Sequence, residues 1–174
     1  NKNDICFIVD EIQTGFGVTG EMWYSKMIGL NPDIVIFGKK SQICGIIVND
    51  KYSEAIHSQY RKLEVTFDGE LIDAIRSEYI LNAIEKNSLL ENVKDKSKIL
   101  RNELSGLFEN YRSVGHLIAF DFQNKQERDD FALNAYLNRL LVNPTGEKSI
   151  RIRPNLAFSD NELDAFFIKI KSSF

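Results

Sequence analysis

Two short apolar runs constrain this chain more than anything else in it. Residues 5–9 end in Asp10-Glu11-Ile12-Gln13, and residues 34–37 end in Gly38-Lys39-Lys40. Runs this short, bounded by turn residues, read as buried strands of a parallel sheet. Ligands of open α/β sheets collect at the carboxyl ends of the strands. An acid and a lysine at two such ends are therefore expected to face one ligand.

The rest of the pattern supplies the frame. Glycines at 15, 17 and 20 mark a loop, and a short helix is expected over 21–29, stopped by Asn31-Pro32-Asp33. A third strand over 43–48 follows so closely that it must run antiparallel to the second. A short helix over 51–59, a turn at Thr66–Gly69 and a long helix over 70–86 come next. Ser88 is placed to cap a further helix carrying Leu89, Val93, Leu100, Leu104 and Leu107. Beyond it the pattern alternates: strand 115–122, helix 126–140, strand 150–153, and a helix from 161 opened by the capping box Ser159-Asp160-Asn161-Glu162. The character of the chain changes near Asn87, which divides it into 1–86 and 87–174.

Composition excludes more than it selects. The 174 residues carry a net charge of −3 with acids and bases interspersed, which suggests neither nucleic acid nor membrane as a partner. No apolar stretch approaches the roughly 20 residues of a membrane helix. Cys6 and Cys44 fall in the expected buried strands, which suits a reduced, cytoplasmic setting better than a disulfide scaffold. The opening Asn-Lys-Asn-Asp has no basic-then-apolar leader. A buried-type strand follows it almost at once, so a piece of a larger fold is expected.

A lysine that attacks a carbonyl forms a Schiff base. A carboxylate facing a pyridine nitrogen keeps that nitrogen protonated and makes the ring an electron sink, the arrangement of a pyridoxal 5'-phosphate site. The competing reading of Asp10-Glu11 is the magnesium-binding acid strand of a P-loop nucleotidase. The Gly-rich phosphate loop that such a site requires is absent from these residues.

The wording of the sequence then narrows the choice. VDEIQTGFGVTGEMW followed by NPDIVIFGKK closely resembles the cofactor region of class III (ornithine/GABA-type) pyridoxal-phosphate aminotransferases. VTFDG resembles that family's Ser-Thr-aromatic-Gly-Gly turn, and SIRIRPNLAFS its arginine-bearing C-terminal strand. The resemblance implies a fold-type I α/β transferase. Residues 1–86 would be the C-terminal part of the large cofactor domain, and 87–174 a small α+β domain. It also implies that Asp10 pairs with the ring nitrogen, Gln13 bonds the phenolic oxygen and Ile12 packs on a ring face. Lys39 would be the Schiff-base lysine and proton shuttle, with Lys40 structural. Thr66 would reach the cofactor phosphate of a neighbouring subunit in a homodimer with shared sites. Arg151 would bind a substrate carboxylate, although strand alternation puts Arg153 on the same face. FGKKSQICGIIV resembles the branch of the family that takes the side-chain amine of L-lysine and passes it to 2-oxoglutarate; the GABA-type branch is the nearest competitor.

Some residues depart from the family pattern. Glu64-Val65 and Asp68-Gly69-Glu70 put acids where a phosphate is expected, which is electrostatically unhelpful. The family's phosphate loop, its ring-stacking aromatic and the glutamate that pairs with the arginine have no counterpart here, so the chain alone is expected to be inactive. His57 and His116 lack ligand-spaced partners, Trp23 and Tyr24 read as core or subunit-contact residues, and Lys94–Lys98 as a solvated helix face.

Overall fold

The register of two strands sets the site. β1 (Ile8–Asp10) runs parallel to β2 (Ile34–Phe37), with Asp10 opposite Ile36. The crossover between them holds the Gly-rich loop and one turn of helix, α1 (Tyr24–Met27). β3 (Gly45–Val48) returns antiparallel to β2, as the short link requires. The computed structural model describes residues 5–58, 66 and 69–174, in two compact units.

The first unit is Asn1–Gly17 with Glu21–Asn87. Besides the sheet β1-β2-β3 it holds α2 (Asp50–His57) and α3 (Leu71–Lys86), which packs against the Lys39–Ser41 turn. Cys6 and Cys44 are both exposed, contrary to expectation. The reason is local. β1 begins only at Ile8, β3 only at Gly45, and β1 pairs on one edge alone among the described residues, so neither cysteine sits inside a covered strand.

The second unit, Val18–Gly20 with Ser88–Phe174, has the larger core. It contains α4 (Leu89–Leu104), β4 (Glu109–Val114), β5 (Leu117–Asp121), α5 (Lys125–Leu137), β6 (Asn143–Thr145), β7 (Ser149–Ile152) and α6 (Asp160–Lys171). The antiparallel sheet runs β4-β5-β7-β6. Ile118 and Phe120 of β5 and Ile150 and Ile152 of β7 face inward, where they meet Leu100, Leu104 and Ile170. Each such side chain contributes about 1.5–3 kcal/mol when fully buried. Val18–Gly20 joins this unit by a close approach. His116 N donates to Val18 O at 2.8 Å, and a Cβ on Gly115 would fall 2.3 Å from that same oxygen.

Three expectations are corrected here. The single strand over 115–122 is the second arm of a hairpin whose first arm, β4, is too polar to stand out. Ser88 occupies the N-cap of α4 but makes no side-chain capping bond. Its φ of 51° is not the extended backbone from which a hydroxyl reaches the first turn. Within the Lys94–Lys98 face, Lys96 is buried and pairs with Asp160, because it lies on the same stripe as Val93 and Leu100. Among the described residues no helix is long and apolar enough to cross a membrane.

Candidate active site

The chemistry of the first unit gathers at the carboxyl ends of β1 and β2. Asp10 ends β1 and is exposed. Its Oδ1 accepts from Ile12 N at 2.9 Å, and Oδ2 has no partner among the described residues. Ile12 is half-buried and Gln13 exposed, in the turn that follows. Lys39 opens a 3-10 turn (Lys39–Ser41) directly after β2 and Gly38. It is exposed, and its ammonium has no partner among the described residues.

The backbone around Lys39 is unusual. Lys39 and Gln42 both lie in the left-handed region, at φ 55° and 60°. Neither is a glycine, and each such residue costs about 1–2 kcal/mol. The turn is held from within: Gln42 N and Nε2 both donate to Lys39 O at 3.1 Å, and buried Ser41 donates from Oγ to Ile43 O at 2.5 Å. Gly38 permits the approach of Cys44, whose Sγ would lie 2.9 Å from a Cβ there. Lys40 turns toward the neighbouring strand end and donates from Nζ to Gln13 O.

Glu11 has a role that its sequence position did not reveal. It is 1% exposed. Its Oε2 accepts from the Thr14 hydroxyl and from Tyr24 N at 3.1 Å, and its Oε1 from Ser25 N at 2.6 Å. Burial pushes its pKa up, but the Thr14 hydroxyl and the Ser25 and Tyr24 donors together hold it below the ordinary carboxylate value. Glu11 thus anchors the start of α1, and both its oxygens are engaged by the chain itself. Thr14 is a local partner, but Tyr24 and Ser25 lie 13 and 14 residues away, and no local spacing announces them.

Arg151 belongs to the second unit, in β7 between Ala119 and Asn143. It is half-buried, and its Nε is buried without a hydrogen-bond partner. A cavity of about 310 Å³ beside it is lined by Leu140, Asn143, Arg153 and Phe158 among others. Arg153 lies past the last residue of β7 and is exposed, which separates the two arginines that alternation alone could not. Thr66 is an exposed turn residue; Glu64, Val65, Phe67 and Asp68 lie outside the described residues. His57 is exposed on α2, and no group of three metal-ligating side chains occurs among the described residues.

The donor set at the two strand ends suits a pyridine aldehyde: a carboxylate oxygen for a ring N–H, an amine for the aldehyde, and a carboxamide and an aliphatic side chain on one intervening loop. Comparison with known proteins agrees with that chemistry. The chain is 33% identical to the L-lysine-epsilon aminotransferase of Amycolatopsis lactamdurans over 94% of its own length and 39% of that protein's. It is 34% identical to the 4-aminobutyrate aminotransferase of Dictyostelium discoideum over 95% of its length and 34% of that protein's. The solved lysine aminotransferase of M. tuberculosis, in its internal aldimine form, superposes with a TM-score of 0.92 at 32% identity, covering 99% of this chain and 42% of that one. The chain therefore spans about 40% of the length of such relatives. The family model described as aminotransferase class-III matches residues 1–174, and the chain belongs to that family.

Proposed function

We propose that this chain provides the lysine-bearing half of a pyridoxal-phosphate ω-aminotransferase, which takes the side-chain amine of L-lysine and delivers it to 2-oxoglutarate. The products are 2-aminoadipate 6-semialdehyde and glutamate. The observation that carries the reading is that Lys39, its amine without a partner among the described residues, and Asp10, with one carboxylate oxygen likewise open, stand at the ends of adjacent parallel strands. The cofactor, when bound, supplies an electron sink for the pair of electrons released at the substrate carbon.

The chain's own residues do the rest. Lys39 would hold the cofactor through its aldehyde until the substrate amine takes its place, and its freed amine would move a proton to and from the substrate carbon. Asp10 would accept the ring N–H through its open oxygen. Gln13 would donate to the phenolic oxygen, and Ile12 would cover one ring face. Arg151, its Nε without an internal partner, binds a substrate carboxylate, where a planar fork gives two parallel bonds. Thr66, exposed in its turn, reaches a phosphate across a homodimer in which each subunit completes the other's site. Lys40 holds the loop rather than reacting.

The preference for L-lysine over 4-aminobutyrate rests on Lys39-Lys40-Ser41-Gln42-Ile43-Cys44-Gly45 and on the lysine aminotransferase relatives. The test uses the polypeptide carrying this chain at its full natural length. It is expected to show the absorption band of a lysine-bound cofactor and to turn over L-lysine faster than ornithine or 4-aminobutyrate. Lys39→Ala should lose the band and lower kcat at least about a thousandfold. A wild-type protein without the band, or an unchanged band in Lys39→Ala, refutes the cofactor reading. Faster turnover of 4-aminobutyrate refutes only the donor.

A further inference from the structure

We infer that Lys40 is a positioning residue for the reaction: its ammonium clamps the Gln13 loop to the Lys39 turn and so fixes where the Gln13 carboxamide stands relative to the Lys39 amine. The inference rests on the pyridoxal-phosphate reading above.

Two segments far apart in sequence must meet for the site to exist. The loop after β1 carries Ile12 and Gln13, and the turn after β2 carries Lys39. Between their tips, the strand register reaches only as far as Asp10 opposite Ile36, extended by Glu11 N donating to Ile36 O at 2.8 Å. Beyond Glu11 the ladder stops. The next tie across the gap is Lys40 Nζ donating to Gln13 O, over 27 residues of sequence.

Each segment also carries bonds of its own. Glu11 anchors the far end of the first loop to the start of α1, and Phe16 N donates to Met22 O at 2.7 Å. Phe16 and Trp23 meet edge to face at 5.3 Å. The Lys39 turn is closed on its own carbonyl by Gln42. Neither set of bonds crosses from the Gln13 loop to the Lys39 turn, whereas the bond from Lys40 Nζ to Gln13 O does. A cation on a carbonyl makes a charge-assisted bond, stronger than a neutral one. Lys40 is half-buried rather than exposed, so part of its stem lies against the chain.

The consequence is electronic as well as geometric. Gln13 donates to the cofactor's phenolic oxygen, so its position sets how strongly that oxygen holds negative charge. That in turn sets the pH at which the cofactor's absorption band changes form. A misplacement of about 1 Å in a positioning group is enough to cost catalysis heavily.

The experiment uses the full-length holoenzyme and its Lys40→Met, Lys40→Gln and Lys40→Arg variants. Its readouts are the pH midpoint of the cofactor band, kcat, KM, and the melting temperature of the cofactor-free protein. Lys40→Met and Lys40→Gln are expected to move the midpoint by about half a pH unit or more. They should also lower kcat roughly tenfold with KM little changed. Lys40→Arg, which keeps a donating cation, should restore both, and the cofactor-free melting temperature should stay at the wild-type value. In a Gln13→Ala background the Lys40→Met shift should vanish, since Lys40 acts through Gln13.

An unmoved midpoint and kcat overturn the inference. So does an equal shift in the Gln13→Ala background, which would mean the Lys40 charge acts directly. Collapse of the cofactor-free protein in both neutral variants overturns it too, in favour of a purely structural lysine. A wild-type protein with no cofactor band overturns the underlying reading instead, and the two failures are distinct.

Discussion

His116 is fully buried, and its chemistry follows from one bond. Its Nδ1 lies 3.0 Å from Asn155 O, a carbonyl that can only accept, so Nδ1 carries the proton of the neutral ring. Nε2 is then a bare acceptor, and it has no partner. Charging the ring would put a second N–H on Nε2, which makes no hydrogen bond among the described residues. Burial accordingly pushes the His116 pKa down, against the weaker pull of the Asn155 and Pro154 carbonyls. With the folded pKa below the unfolded value of about 6.5, the unfolded chain binds more protons between the two. Stability from this group is complete above about pH 6.5 and falls as the pH drops, by at most about 1.4 kcal/mol per unit. The urea midpoint should therefore fall between pH 7 and 5, and His116→Asn, which keeps a donor for Asn155, should flatten that fall. An identical slope in the variant would remove the argument. At this scale the placement of Asp10 and Lys39 at strand ends was readable, because each follows an apolar run. The bonds of Glu11 to Tyr24 and Ser25 and of Lys40 to Gln13 were not, because they span 13 to 27 residues and only the fold brings them near.

Among the elements, two helix starts of the second unit behave oppositely. α6 opens on a complete capping box, in which Ser159 Oγ accepts from Glu162 N and Glu162 Oε2 accepts from Ser159 N at 2.8 Å. α4 opens on Ser88, in the left-handed region and with no capping bond from its side chain. Removing the Ser159 hydroxyl by Ser159→Ala should cost about 1 kcal/mol, whereas Ser88→Ala should change stability by less than about 0.5 kcal/mol. Urea unfolding followed by far-ultraviolet circular dichroism measures both. Equal costs would mean that the cap bonds do not decide these helix ends. The same contrast explains what could be read beforehand. The box of α6 is local and has a sequence signature, as does the period of α3 and α4. The direction of β3 followed from the length of its link. β4 and β6 had no such signal. β4 is Glu-Asn-Tyr-Arg-Ser-Val, mostly polar, and β6 is three residues around Pro144. Both are edge strands, whose pairing is decided by the neighbour they meet rather than by their own pattern.

On the scale of the whole molecule, apolar burial is divided unevenly between the two units. The second holds one continuous buried cluster from Leu100 to Ile170, including fully buried Phe120 and Ile150 and a Phe108–Phe120 ring stack at 3.7 Å. In the first, the buried apolar side chains among the described residues are Phe16, Ile34 and Ile84. Meanwhile Ile8 of β1, Ile47 of β3 and Leu71, Ile72 and Tyr79 of α3 stand exposed. At about 25 cal/mol for each Å² of apolar surface removed from water, the second unit gains far more from folding than the first. The two units should then unfold separately, since cooperative all-or-none behaviour requires comparable mutual dependence. The chain provides its own probe, because its one tryptophan, Trp23, lies in the first unit and packs against Phe16 and Phe37. In urea, Trp23 fluorescence should change at a lower concentration than the helical circular dichroism carried by α4, α5 and α6. Amide exchange should run in the same order, with β1–β3 fast and the Ile118, Phe120 and Ile150 amides slowest. Coincident transitions, or slow exchange at Ile34–Phe37 equal to that at Ile118–Phe120, would show that the 174 residues fold as one cooperative body despite the uneven burial.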